Sequence, residues 1–577
     1  MGFHLPKHLW LLACLLVQVG HVGLYASDIP DKTGMNVKGR VTCNGQGLKD
    51  VVVSDGIETT TTNEQGIYYL QSEKKYGYVF VSLPSGYMPP MSGNTPLFYK
   101  RLSGTKEGKT DEANFELTAE DNTRYAFLTM ADLHLAGMNN DTILFRAIAT
   151  DINTTASTLR QQGYSVYAFS LGDEGWDKYW SETGFKLPQV CQAEQAVDMP
   201  FFHCMGNNDN DTKSSSDLGA EQPWIQTCGP VYYSLNIGDS HIVVLDDIVE
   251  DDGNETFSIT DEEYAWLQKD LAYISDKSKP LFIIMHAPLY DVPKLNRQET
   301  FLNGGNKLIS LLAPYENVHI LSGHKHSNYN VRQDNLFEHN TAAICGTKWY
   351  TNLYSGINLG YDGTPAGYGV YTNDSKKLSW KYRAAGLNDN TLFRSYDLNT
   401  TYLNADSCAP GKASELKKYA HGYDERNTDN EILLLVWNYD PSYTIKAEEN
   451  GKALTIERVS GYDPLHILAY EVPCVRAGIK PKFETKKTTN LFKIKASDAT
   501  STIDITVTDG FGNTCAEHMK RPKPFSLNSY TTTGIQASGT TKMHCCQLSN
   551  KIYNLAGMPM KRPFRGIYVS KGKKVLF

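Results

Sequence analysis

A chain of 577 residues exceeds one ordinary domain, and its 41% apolar and 21% charged composition suits several buried cores. A formal net charge of -8 leaves no basic footprint, so charge gives no support for nucleic-acid binding. The 11 cysteines are scattered and form no CxxC pair, which excludes a dense disulfide scaffold and leaves room for one or two bridges.

The chain opens as an export signal. Lys7 supplies positive charge, LWLLACLLVQV at 9–19 is an apolar core, and small residues follow from Gly23 to Ala26, where cleavage is expected. That core is too short for an ordinary membrane span. No later run is long and apolar enough to be one. LLAC at 11–14 has the form of a lipoprotein box, although apolar residues continue past Cys14. The expected location is outside the cytoplasm: periplasm, cell surface or medium.

Residues 27–120 read as a β-sandwich. VKGRVTCNGQGLKDVVVSDG and ETTTTNEQGIYYL alternate β-branched residues with NG, DG and QG turns, and NFELT closes the unit. The pattern resembles the carboxypeptidase-regulatory-like modules that precede secreted enzymes. Residues 121–387 follow a different grammar. YAFLTM, SVYAFSLGD, PFFHCMGN, SHIVVLDD, PLFIIMHAP and NVHILSGHKH are strands, with helical stretches at 142–160, 185–197, 260–275 and 306–315 between them. Strands alternating with helices imply a layered α/β domain, which GYGVYT and KLSWKYRAA finish as a hairpin. Residues 388–520 are polar and irregular to 428. They then become β-rich through EILLLVWNYDP, KALTIERV, LHILAYEV, NLFKIKA and STIDITVTDGFGN, where DGFGN is a hairpin turn. The stretch 521–541 reads as a linker. The last 26 residues, IYNLAGMPMKRPFRGIYVSKGKKVLF, resemble the sorting tail of type IX secretion cargo, which would make the secretion machinery a partner. A last β-hairpin with a basic end is the plainer reading.

The polar residues that follow these strands carry the chemistry. Asp132 and His134 follow the first strand, Asp173 the second and Asn207 the third. His286 follows a later strand, and His324 and His326 another. Sites in open α/β sheets assemble at that edge. A lone DxH or GD is ordinarily a turn, but five such matches in chain order are hard to obtain by chance. The order DxH, GD, GN, H, GHxH resembles the calcineurin-like metallophosphoesterase family over roughly 124–330. LGDEGWDKYW, VLDD, GTPAGYGVY and NYDPSY are similar to secreted bacterial members with β domains on both flanks. The resemblance implies an α/β sandwich core flanked by N- and C-terminal β-sandwich domains.

It also implies a two-metal site. Asp132, His134, Asp173 and His326 would hold the first ion, and Asp173, Asn207, His286 and His324 the second, with Asp173 bridging. Mixed imidazole and carboxylate donors accept Mn, Fe or Zn. Hydroxide held between the ions would attack a phosphomonoester or phosphodiester in line. The expected substrate is a small phosphate ester or a lipid or glycan phosphoester.

One position departs from the family motif G-N-H-[DE]. Gly206-Asn207-Asn208-Asp209 places Asn208 where a proton-donating His is expected. Asn donates hydrogen bonds but does not titrate near neutral pH. Three readings follow: an enzyme with a weakened acid, or with Asp209, Asp211 or His203 as the donor; a degenerate cell-surface binding protein; or a register in which Asn208 is the ligand. Gly206 directly before Asn207 argues against the last. Lys325 is expected to face away from its histidine neighbours. Glu174 lines the crevice or is solvated. Asp246 and Asp247 are outer groups or turn carboxylates, and Trp176, Trp180, Trp349 and Tyr350 form a wall or core. DNDTK at 209–213 lacks the Gly and Glu of an EF-hand.

Overall fold

A computed structural model describes residues 29–103, 109–374 and 377–530, together with the backbone of four short strands between 552 and 576. The export signal read at 1–26, with its Cys14, lies outside the described residues. So does residue 531 onward of the expected linker.

YAFLTM forms the strand Tyr125–Met130. Tyr125 and Phe127 enter one buried cluster, while Ala126, Leu128 and Met130 enter another. Period-two alternation with both faces covered explains why the run is apolar throughout. Its sheet runs Phe201–Phe202, Ser165–Ser170, Tyr125–Met130, Gly367–Asp374, Lys377–Ala384. The first three strands are parallel, and the hairpin is added antiparallel. A second sheet runs Tyr233–Ile237, Ser240–Val244, Pro280–Ile284, Asn317–Ser322, Leu336–Asn340, Tyr329–Gln333, parallel in its four middle strands. The sheets pack face to face through Phe127, whose ring centroid lies 5.0 Å from Phe282 and 4.9 Å from Tyr371.

The helix Asp141–Gln161 covers the outer face of the first sheet with Leu144, Phe145, Ile148, Ile152, Ala156 and Leu159, a 3.6-residue spacing. Each of the Leu, Ile and Phe side chains contributes roughly 1.5–3 kcal/mol by burial. The Asp141 carboxylate accepts the Ala136 and Met138 N–H groups at 2.7 and 3.1 Å and fixes the chain's entry. Gly163, at φ 86°, ends it.

The N-terminal sandwich packs onto the outer side of the second sheet and shares its core. Phe98 lies 4.7 Å from Tyr233, Phe80 lies 6.2 Å from Trp266, and Trp266 Nε1 donates to Ser54 Oγ at 3.1 Å. The C-terminal unit is likewise a sandwich. One sheet holds Phe393–Asp397, Glu431–Val436, Thr488–Lys495 and Ile456–Gly461, and the other holds Lys452–Ala453, Thr444–Glu449, Ile503–Thr508 and Thr514–Met519.

Three expectations for this C-terminal half differ from the structure. LHILAYEV is helical from Pro464 to Ala477, with a π turn at Ile467–Glu471, rather than a strand. Asp463 caps it by accepting the His466 N–H at 2.9 Å, and Pro464 occupies the first helical position. A short run buried on all sides has no period that separates strand from helix. The polar stretch 388–428 contains the buried strand Phe393–Asp397 and two short helices. The first ten residues of the expected linker are anchored at both ends: Arg521 pairs with buried Asp397 at 3.2 Å, and Tyr530 sits among Tyr396, Leu398 and Leu433. In the tail, Pro559–Met560, Ile552–Tyr553, Ile567–Ser570 and Lys573–Leu576 form one antiparallel sheet.

Eight described cysteines are free thiols, and Cys191 Sγ and Cys228 Sγ lie 3.5 Å apart. No described helix is long and apolar enough to cross a membrane.

A pH dependence is built into the second sheet. His319 Nδ1 and His339 Nε2 lie 3.0 Å apart between Phe337 and Trp380. Burial, with the Arg332 charge adding to it, lowers His319 to about 3. In the unfolded chain it returns to about 6.5. The unfolded state therefore binds the extra proton below about pH 6.5, and this stability is lost as pH falls toward 3. At pH 5 the loss is about 2 kcal/mol. Denaturant titrations at pH 7 and 5 are expected to show His319→Gln losing about 2 kcal/mol less than the parent between the two pH values.

Candidate metal centre

The parallel strands of both sheets deliver their C-terminal ends to one edge. Five of the seven sequence-derived donors sit there in left-handed backbone: Asp132 at φ 53°, His134 at 44°, Asp173 at 55°, His324 at 66° and His326 at 50°. Such conformations cost about 1–3 kcal/mol each in non-glycine residues and cluster at functional sites. They turn each side chain back over the strand end. Close approach is secured by glycines. A Cβ on Gly206 would fall 2.0 Å from the Asp173 nitrogen, and one on Gly172 would fall 2.4 Å from the His286 ring.

All seven donors converge. His134 Nε2 lies 3.0 Å from His326 Nε2, 3.2 Å from Asp173 Oδ2 and 3.9 Å from Asp132 Oδ1. His326 Nε2 is 3.3 Å from Asp132 Oδ1. On the other side of Asp173, its Oδ1 is 3.4 Å from His286 Nε2. That nitrogen is also 3.0 Å from Asn207 Oδ1 and 3.3 Å from His324 Nδ1. The donors fall into two groups that share Asp173, as the motif order implied.

The tautomers show what the groups are built to hold. His286 Nδ1 donates to the Leu171 carbonyl at 2.8 Å, and His326 Nδ1 to the Gly346 carbonyl at 2.7 Å. Their Nε2 atoms therefore point inward, at carboxylate and amide oxygens that are electron-rich. Positive charge, whether an imidazolium proton or a metal ion, satisfies such a convergence. Burial lowers the basicity of His286, yet the Asp173 carboxylate overrides it and raises the imidazole to about 10. Burial, and after it the Lys348 ammonium, holds His134 well below the ordinary range. Once metal displaces the protons on their inward nitrogens, these imidazoles, with the carboxylates and one amide oxygen, form a donor set that fits two first-row metal ions. Cys345 Sγ approaches His326 at 3.6 Å, but on the Nδ1 side, away from the centre.

The opening of the third loop separates its two asparagines. Asn207 presents its oxygen to His286. Asn208 lies outside the donor set and donates from its backbone N and its Nδ2 to the two Asp173 oxygens, both at 2.7 Å. The geometry thus favours Asn207 over Asn208 as the donor. Asp209 is wholly buried and accepts the N–H groups of Glu174, Gly175 and Gly206 at 3.1, 2.7 and 2.9 Å, tying the second loop to the third. His203 is paired with buried Glu174 at 2.9 Å. Neither Asp209 nor His203 is open to a leaving group, and Glu174 does not line the crevice. Asp247 Oδ1 accepts the His286 backbone N–H at 3.1 Å, an outer support, while Asp246 accepts the Ile248 N–H. Lys325 turns to Asp291 at 3.2 Å.

Aromatic rings frame the centre. Trp176 meets His134 at 5.1 Å, Tyr361 stacks on His326 at 4.9 Å, and Phe257 packs on His324 at 4.5 Å. Trp180 and Trp349 are core residues. Tyr361 and Phe257 were not singled out from the sequence. Nothing in their local pattern separates them from ordinary turn and strand residues.

Family profiles match most of the chain. Residues 35–120 match the N terminal of calcineurin-like phosphoesterase, 126–328 the calcineurin-like phosphoesterase domain itself, and 338–515 its C terminal. Among curated proteins none matches. Similar solved structures include a dimetal phosphatase from Danio rerio at 13% identity and TM-score 0.32, covering 45% of this chain and 96% of that one. They include GAP50, the anchor in the inner membrane complex of Plasmodium, at 12% and 0.29, covering 45% and 85%. A 5'-nucleotidase from Candida albicans is similar at 12% and 0.29, covering 45% and 50%. With its central domain and both flanking domains matched in order, the chain belongs to the calcineurin-like phosphoesterase family.

Proposed function

We propose that the protein is a metal-dependent phosphoric ester hydrolase with a weakened general acid. The observation that carries this reading is the convergence of inward-facing imidazole nitrogens on the two oxygens of Asp173. Asp132, His134, Asp173 and His326 would hold one ion, and Asp173, Asn207, His286 and His324 the other. Mn, Fe and Zn all suit these donors. When bound, such ions supply Lewis-acid activation of the phosphoryl group and of water.

The chain's own residues do the rest. The Leu171 and Gly346 carbonyls hold His286 and His326 in the tautomers that face the centre. Asp209 locks the two loops so that Asp173 and Asn207 stay in register. Trp176 packs edge-on against His134 and Tyr361 stacks on His326, which limits how either imidazole can turn. Asn208, directed at Asp173, offers a hydrogen bond where a titratable group would give a proton. Aryl esters, whose leaving groups need that proton least, are the better substrates on this reading. Small phosphate esters and lipid or glycan phosphoesters both suit it. The apolar segment at 9–19 and the C-terminal 26 residues support an exported location.

Purified protein reconstituted with Mn, Fe or Zn is expected to hydrolyse aryl phosphates or bis-aryl phosphates, and a chelator is expected to abolish the turnover. Metal-loaded protein without such turnover would favour a binding role for the same fold.

A further inference from the structure

The loop Cys345–Trp349 is fixed to the candidate centre at several points. The Cys345 N–H donates to the Asp132 carbonyl at 3.2 Å, and the Gly346 carbonyl accepts from His326 Nδ1. Trp349 Nε1 donates to the Leu133 carbonyl at 3.0 Å, and Thr347 Oγ1 lies 2.7 Å from His466 Nε2 of the C-terminal domain. Within this frame Lys348 and Trp349 both have left-handed backbone, at φ 49° and 67°. Strain of this kind persists only where the surroundings enforce it.

Its product is a placed ammonium. Lys348 Nζ sits 4.3 Å from the Trp176 ring centroid and 5.7 Å from that of Phe483. Trp176 also meets the His134 ring, at 5.1 Å, and the Tyr179 ring, at 4.7 Å. Phe483 stacks on Tyr361 at 6.1 Å and 9°, and Tyr361 stacks on His326. Lys348 is thus connected by one aromatic ring to His134 and by two to His326. Among the described residues it makes no direct ion pair with a carboxylate, and its charge is felt by Asp173 at the centre. Ring faces hold a cation without neutralising it, so the charge stays available to an anion. Lys325, between the histidines at 324 and 326, is paired with Asp291.

We propose that Lys348, steadied between Trp176 and Phe483, is an anion-binding group for the phosphoryl oxygens of the substrate, and that the C-terminal domain completes this subsite through Phe483. The proposal rests on the phosphoesterase reading for the identity of the anion. It also gives the C-terminal domain a part in binding: Lys486 N–H holds the Tyr361 carbonyl at 2.8 Å, and Phe483 lies three residues earlier.

The test uses the full chain loaded with Mn and titrated with inorganic phosphate by calorimetry. Lys348→Met is expected to weaken phosphate binding about ten- to a hundred-fold, the usual worth of one charge-assisted hydrogen bond. Lys348→Arg, which keeps the charge, is expected to restore most of it. Metal content and melting temperature are measured on each variant. Phosphate affinity unchanged in a folded, metal-loaded Lys348→Met protein overturns the proposal, as does a parent protein that binds no phosphate. A Lys348-dependent phosphate site in a protein without turnover would remove the hydrolase reading and leave this one standing.

Discussion

Asp173→Asn is expected to strip metal from both halves of the centre and to abolish chelator-sensitive turnover. The carboxylate faces ligand nitrogens of both donor clusters, through Oδ2 to His134 and Oδ1 to His286. Asn keeps the shape and tolerates the left-handed φ of 55°, so the loop survives while the charge is lost. Changes in groups that only support ligands cost about 10–100-fold in metal affinity. A residue inside both clusters should cost more than that. Asn207→Ala is the informative partner. It touches only the His286 side, so it is expected to lower bound metal from two equivalents to one. Elemental analysis after dialysis reads both variants. Equal loss from Asn207→Ala and Asp173→Asn, or no loss from either, would contradict the shared-ligand arrangement.

The centre was legible in the sequence because of how it is built. Each donor follows an apolar strand within a few residues, so the strand pattern and the polar punctuation carry the same information twice. Asp132, Asp173, Asn207, His286 and His324 could each be placed at the C-terminal end of a strand before any distance was known. Lys348, Tyr361 and Phe483 could not. They sit in loops whose position depends on how the C-terminal domain packs, through contacts such as Thr347 with His466 and Asn490 with the Asn328 carbonyl. The same limit applies to LHILAYEV, whose helical form is decided by Asp463 and burial rather than by its own period. Asn208 lies between these cases. Its place in the motif was readable, but its bond to Asp173 was not.

That bond makes Asn208→His the most instructive gain-of-function test. A proton donor in this position is typically worth about 10²–10⁴-fold to a reaction that needs one. Alkyl phosphates need it most, because an alkoxide leaves poorly. Aryl phosphates leave as stabilised phenoxides and need it least. Asn208→His is therefore expected to raise alkyl phosphate turnover within that range and to leave aryl phosphate turnover nearly unchanged. Side-chain placement makes the gain attainable. Asn208 is only half-buried, and its backbone N–H, which the substitution keeps, already holds the loop to Asp173 Oδ1. An imidazole there has a second nitrogen free for the leaving oxygen once one has taken over the bond to Asp173 Oδ2. Rates across leaving groups of graded basicity measure the effect. A shallower dependence in the variant locates the missing proton at residue 208. Parallel lines would show that the parent already has a donor, and absence of turnover in both proteins would turn the assignment toward binding.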